Sequence, residues 1–104
     1  MREKRQHARA VLETSVRVIR RGREPVETVS RDISLGGMYV AGSIDAELGE
    51  EFTIYFELPK LGEVEVECFL RWKKDDGFGL QFGLMGPRET HAIGALVRSQ
   101  QKSA

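Results

Sequence analysis

Apolar and polar residues alternate with a period of two over most of this chain. From Glu63 to Lys73, the residues Val64, Val66, Cys68, Leu70 and Trp72 fall on one row, and Glu63, Glu65, Glu67, Phe69 and Arg71 fall on the other. Successive side chains of a strand point to opposite faces, so the first row faces a core and the second, largely charged, faces water. The same alternation sets Phe52, Ile54, Phe56 and Leu58 against Thr53, Tyr55 and Glu57, and Phe78, Leu80, Phe82 and Leu84 against Gly79, Gln81, Gly83 and Met85. Leu12, Val16 and Val18 mark a longer strand, while Val26 to Ile33 and Met38 to Ala41 read as shorter ones.

Turn residues separate these runs. Arg21-Gly22-Arg23-Glu24-Pro25 ends the first strand, Gly36-Gly37 joins the second and third, and Pro59-Lys60-Leu61-Gly62 joins the fourth and fifth. Lys74-Asp75-Asp76-Gly77 contains an Asp-Gly pair, a hairpin signal because both residues tolerate φ > 0. The period then changes. Pro87 suits a first helical turn, and Ile93, Leu96, Val97 and Gln100 follow at helical spacing, which predicts a helix over about 87–102. Gly94 weakens that helix, so its apolar face must pack on the strands. About six strands on short turns, then one helix, predict a mainly all-β fold: a six-stranded antiparallel β-barrel with a C-terminal α-helix.

Composition narrows the function. A chain of 104 residues, 40% hydrophobic and 31% charged, suits one globular domain with one core. No run approaches the ~20 apolar residues that a membrane helix needs, so direct membrane insertion is not expected. The basic start MREKRQHAR lacks the apolar run of a secretion signal, and the single Cys68 cannot form an internal disulfide; a reducing cytoplasm is the predicted location. The 16 Lys+Arg balance 16 Asp+Glu, which argues against DNA or RNA as a partner.

That neutral total hides segregation. Residues 1–31 hold nine Lys/Arg against four Glu, a local +5. Residues 32–70 hold one Lys against nine Asp/Glu, a local −8, and the remainder holds six cations against three acids, a local +3. Such asymmetry points to an anion meeting the N-terminal segment, although solvated strand faces of mixed charge also produce it.

The sequence predicts no enzyme, metal or cofactor. His7 and His91 have no metal-ligand spacing around them, and Cys68 sits on an inward row with no base beside it in sequence. Gly77, Gly79 and Gly83 lie in or beside a strand, not between a strand and a helix as a phosphate-cradling loop requires. Glu63, Glu65 and Glu67 fit an exposed sheet face.

Two short constellations stand apart. The first is Arg5-Gln6-His7-Ala8-Arg9, preceded by Lys4; the second is Asp32-Ile33-Ser34-Leu35-Gly36-Gly37. An arginine fork matches phosphate oxygens or the O6/N7 edge of guanine through two bonds at once. Asp accepts from the N–H donors on guanine's other edge, Ser donates or accepts, and a glycine permits a tight turn close to a ligand. Together these residues describe a guanine-nucleotide site without a P-loop. Either constellation alone is also ordinary local structure, a basic segment or a turn in which Asp and Ser bond the backbone.

In this order and spacing the chain resembles a PilZ domain, whose pattern is R-x-x-x-R followed some twenty to thirty residues later by [DN]-x-S-x-x-G. Arg5, Arg9, Asp32, Ser34 and Gly37 match every defined position, and the resemblance covers essentially the whole chain. It implies a bacterial receptor for cyclic di-GMP. Arg5 and Arg9 would grip phosphate and guanine edges, Asp32 and Ser34 would contact guanine, and Gly37 would shape the turn. Lys4 stands where some relatives carry a further cation associated with a second, stacked ligand. Trp72 aligns with a strand-end aromatic that in some members lies on a guanine, a stacking worth roughly 1–3 kcal/mol; it also continues an inward row, so core packing is equally open. Arg31 and Arg71 would add to a positive rim. Residues 1–9 are expected to form a flexible ligand-binding arm on a barrel spanning 10–104, closing over the barrel mouth when the ligand arrives. Taken as a stand-alone domain, such a receptor would signal through an unidentified effector protein. The competing readings are an adaptor that binds protein regardless of nucleotide, through the face of Glu63, Glu65 and Glu67, and a barrel for single-stranded nucleic acid, which would want a basic sheet in place of acidic middle strands.

Overall fold

The computed structural model describes residues 8–101. They form β1 (Arg9–Val11), β2 (Ser15–Ile19), β3 (Val26–Ser34), β4 (Gly37–Ala41), β5 (Glu51–Leu58), β6 (Gly62–Lys74), β7 (Gly77–Phe82) and α1 (Pro87–Gln101). Every strand pairing is antiparallel. Six strands close a ring in the order β2-β3-β4-β7-β6-β5, and β1 is added beside the C-terminal half of β3. This is the predicted barrel and helix, with one extra strand.

The inward rows form the core. Phe52, Ile54 and Phe56 of β5 meet Val64, Val66 and Cys68 of β6, and all six are buried. The rings of Phe56 and Phe82 stack with centroids 6.4 Å apart. Ile93 and Val97 bury the apolar stripe of α1 in the same cluster, which supplies the packing that a helix containing Gly94 needs. Between β4 and β5, Arg20 Nη1 and Lys73 Nζ each donate at 2.8 Å to carbonyls of Asp45 and Ala46, so the loop tucks Ile44 and Ala46 into the core.

Four local features depart from simple alternation. The first strand is split: between β1 and β2 the chain swings out around Ser30, whose hydroxyl donates to the Leu12 carbonyl and accepts from the Thr14 N–H at 3.1 Å. Backbone bonds from Leu12 N–H to the Arg31 carbonyl (3.1 Å) and from Ser30 N–H to the Thr14 carbonyl (2.8 Å) frame the interruption. The last strand stops at Phe82; Gly83 N–H still reaches the Glu67 carbonyl at 2.7 Å, but Leu84, expected inward, is 99% exposed. The Asp76-Gly77 turn uses no positive φ; among the described residues, positive φ occurs at Gly22, Gly42, Gly49, Lys60 and Gly62. Gly77 is instead small because the Tyr39 ring lies on it. Finally, the register shifts by one residue in β3 between Ser30 and Asp32 and in β6 between Leu70 and Trp72.

Candidate functional site

The two register shifts build the site. A β-bulge places two residues opposite one and reverses the inside–outside phase beyond it. In β3, Ser30 pairs with Val40 and both are buried; after the bulge at Arg31, Ile33 takes the inward position opposite Met38 and Asp32 faces out opposite Tyr39. In β6, Leu70 is buried opposite Leu80; after the bulge at Arg71, Trp72 lies opposite Gly79 on the outer face. Because Tyr39 also pairs with Gly79, one outward row runs Asp32–Tyr39–Gly79–Trp72 across four neighbouring strands. Alternation alone put Trp72 in the core; the bulge turns it out, half-buried.

Glycines in β7 let the aromatic rings lie flat. A Cβ at Gly79 would overlap the Trp72 indole, and one at Gly77 would overlap the Tyr39 ring. The two rings are tilted by 43° with centroids 5.0 Å apart. Cations flank them: Arg31 Cζ is 5.7 Å from the Tyr39 centroid, and Lys74 Nζ is 5.2 Å from that of Trp72. The Tyr39 hydroxyl donates to Asp76 Oδ1 at 3.0 Å, and this bond, aided by desolvation, raises the phenol above its usual pKa.

At the other end of the row, β1 brings Arg9 opposite Ser34. Arg9 Nε and Nη2 each lie 2.6 Å from Asp32 Oδ1, and Nη1 donates to Ser34 Oγ at 3.5 Å. Ser34 Oγ also accepts from Gly36 N–H at 3.1 Å, which ties the hydroxyl into the β3–β4 connection. Gly37 opens β4 without a positive φ; it is glycine because a Cβ would collide with the Leu80 carbonyl of β7. Its part is close strand approach beside the site, where the sequence suggested a turn.

These side chains line a groove of about 820 Å³ that runs along the outward row to the β3–β4 connection at Gly36. Arg9, Asp32 and Ser34 stand on one side, with Trp72, Lys74 and Arg71 on the other. Arg71 Nη1 is braced at 2.5 Å by Gln81 Oε1. The geometry offers arginine forks, a carboxylate, a hydroxyl and an aromatic face to one flat, anionic ligand. Lys4 and Arg5 lie outside the described residues. Tyr39 was given no role by sequence reasoning, yet the alternating Gly77 and Gly79 of β7 are the signal that aromatic rings approach this strand.

Other sequence candidates lie elsewhere. Cys68 is buried, and desolvation pushes its thiol up to about 12. Glu63, Glu65 and Glu67 stand on the outer face of β6, with Glu63 directly opposite Glu57. Among the described residues, no group of three or more His, Cys, Asp or Glu could hold a metal ion, and no helix is long and apolar enough to cross a membrane.

Fold and groove together define a closed antiparallel barrel with a polar, cation-bearing site on its outer wall. The model of the PilZ domain matches residues 3–99, and the chain belongs to that family. The Bacillus subtilis inhibitor of motility MotI/DgrA superposes with a TM-score of 0.81 at 21% identity, over 98% of this chain and 53% of that one. The PilZ domain of Escherichia coli YcgR with c-di-GMP gives 0.78 at 13% identity, over 96% and 93%. The K. pneumonia MrkH–c-di-GMP complex gives 0.74 at 14% identity, over 97% and 56%. The chain thus spans about half the length of MotI and of MrkH, and the shared feature at these identities is the fold. No match was found among curated protein sequences.

Proposed function

We propose that this protein is a bacterial cyclic di-GMP receptor that acts without catalysis. The observation that carries the reading is the convergence of Arg9, Asp32 and Ser34, from two separate motif segments, on a groove whose far side holds Trp72. Membership of the PilZ family and the likeness to solved structures that contain this nucleotide support it.

In this reading Arg9 turns its fork to a phosphate or to the Hoogsteen edge of guanine, while Asp32 and Ser34 engage the Watson–Crick edge. Trp72 stacks on a base, Lys74 and Arg71 add positive charge, and Gly37 keeps β4 close to β7. The reading also assigns Arg5 to the same ligand by the motif it belongs to, with Lys4 beside it. Like charges at Lys4, Arg5 and Arg9 repel one another; a dianionic ligand would neutralise them and draw the segment toward Asp32 and Ser34. Its ordering costs entropy that charge-assisted hydrogen bonds must exceed. The rearranged surface then engages an effector protein.

Isothermal titration tests the reading: cyclic di-GMP binds saturably to the wild type, and Arg9→Ala loses most of the affinity. Unchanged affinity in a folded Arg9→Ala protein overturns it. One observation favours a second role, as a protein-binding adaptor: Glu57 and Glu63 lie directly opposite each other on an exposed wall with Glu65 and Glu67, and no salt bridge meets these four among the described residues. Pull-downs with and without the nucleotide separate the two roles.

A further inference from the structure

The last turn of α1 reaches back to the strand that carries Arg9. Gln100 Oε1 accepts the Val11 N–H at 2.7 Å, and Gln100 Nε2 donates to the Val11 carbonyl at 2.8 Å. β1 lies at the end of the strand order, paired with β3 on one side only. The bonds to Gln100 satisfy the backbone groups that a further strand would otherwise take. A side-chain amide, with one donor and one acceptor side by side, stands in for a neighbouring peptide group.

Consider what holds β1 in place. The strand has three residues, in the register Arg9↔Ser34, Ala10↔Ile33 and Val11↔Asp32. So short a strand, followed by the interruption at Ser30, has few bonds to resist fraying. Ala10 is buried, but Val11 is 62% exposed and adds little packing. Gln100, by contrast, sits on a helix anchored in the core by Ile93 and Val97. The amide therefore ties β1 to a fixed point of the fold, two residues from the guanidinium that meets Asp32 and Ser34.

We propose that Gln100 is a positioning residue for the ligand groove: it clamps β1 in register with β3, holds Arg9 at Asp32 and Ser34, and thereby couples the C-terminal helix to the site. The identity of the ligand rests on the cyclic di-GMP reading above; the coupling does not. Coupling between two sites is reciprocal. Whatever lifts the end of α1 weakens the nucleotide, and the nucleotide tightens α1 on β1 by the same factor.

The test uses the full chain with Gln100→Leu, which keeps bulk and removes both bonds, and Gln100→Glu, which sets a carboxylate oxygen against the Val11 carbonyl. Gln101→Leu, one position along the same turn, is the control for fraying of the helix end. Without ligand, hydrogen exchange at the Val11 amide and at the Arg9 guanidinium Nε–H should accelerate in both Gln100 variants, while the amides of Ile54 and Val66 in the core stay protected. With cyclic di-GMP, affinity should fall about fivefold or more in both and hold in the control. Wild-type rates at Arg9 Nε–H in the Gln100 variants, or a loss in Gln101→Leu equal to theirs, overturn the proposal. If the wild type binds no cyclic di-GMP, the receptor reading fails, and the exchange rates at Val11 and Arg9 still decide the clamp.

Discussion

Arg9 and Asp32, 23 positions apart in sequence, meet at 2.6 Å on the outer wall of the barrel. Their side chains remain 25% and 31% exposed, so water screens the pair. An ion pair in that setting contributes on the order of 0–1 kcal/mol to folding. Under the proposed function its geometry matters to the groove more than to the fold: the carboxylate holds the guanidinium where an anionic ligand would meet it.

A double-mutant cycle of Arg9→Ala and Asp32→Ala should therefore separate stability from binding. The coupling energy for urea unfolding is expected to stay below about 1 kcal/mol, while each single variant loses nucleotide affinity at least about tenfold, the 1.4 kcal/mol of one charge-assisted bond. A coupling of several kcal/mol in unfolding would make the pair a structural element.

Trp72 lies on Gly79, and it is the chain's one tryptophan, so its emission reports this contact directly. Gly79→Ala pushes the indole off β7. The emission maximum should shift relative to wild type, and cyclic di-GMP should quench the wild type more strongly than the variant. Identical spectra in the two proteins would mean that the ring does not rest on the glycine.

Ser30 fills the gap between β1 and β2. Replacing it with Ala leaves the Thr14 N–H and the Leu12 carbonyl without their side-chain partner, a loss of about 1–3 kcal/mol for buried groups. Chemical denaturation should show that loss as a lower midpoint at unchanged slope. A midpoint within error of wild type would place water in the vacated position.

Cys68 gives the fold a pH dependence. Burial raises the thiol from its ordinary 9.0 to about 12, so the native state keeps a proton that the unfolded chain releases. The stabilising effect is complete below pH 9 and is lost progressively as pH rises from 9 toward about 12. Melting temperatures of wild type should fall more steeply across that window than those of Cys68→Val. At pH 8 a thiol reagent should label the wild type only as fast as it unfolds.

Most of the barrel can be read from a local code. Side chains on a strand alternate with period two, and burial selects apolar residues for one row, so the inward residues of β5, β6 and most of β7 are evident in the sequence. Pro87 and the spacing of Ile93 and Val97 likewise mark α1, and the spacing of Arg5, Arg9, Asp32, Ser34 and Gly37 marks the family. Leu84 shows where that code stops: it continues the pattern of β7 in sequence but not in space, because pairing ends at Phe82 and the chain turns toward α1.

The orientation of the site was decided elsewhere. One extra residue at Arg31 and one at Arg71 reverse the phase of β3 and β6, and Asp32 and Trp72 face the groove only because of those bulges. A bulge is set by pairing between strands distant in sequence and leaves no mark in composition, so alternation carried Trp72 into the core. The clamp from Gln100 to Val11 spans 89 positions and is equally silent in the chain. Sequence by itself determined which residues are apolar, where the strands run and which motif residues are present. Tertiary structure decided which way they face and what holds them there, because facing depends on register and register is a property of pairs.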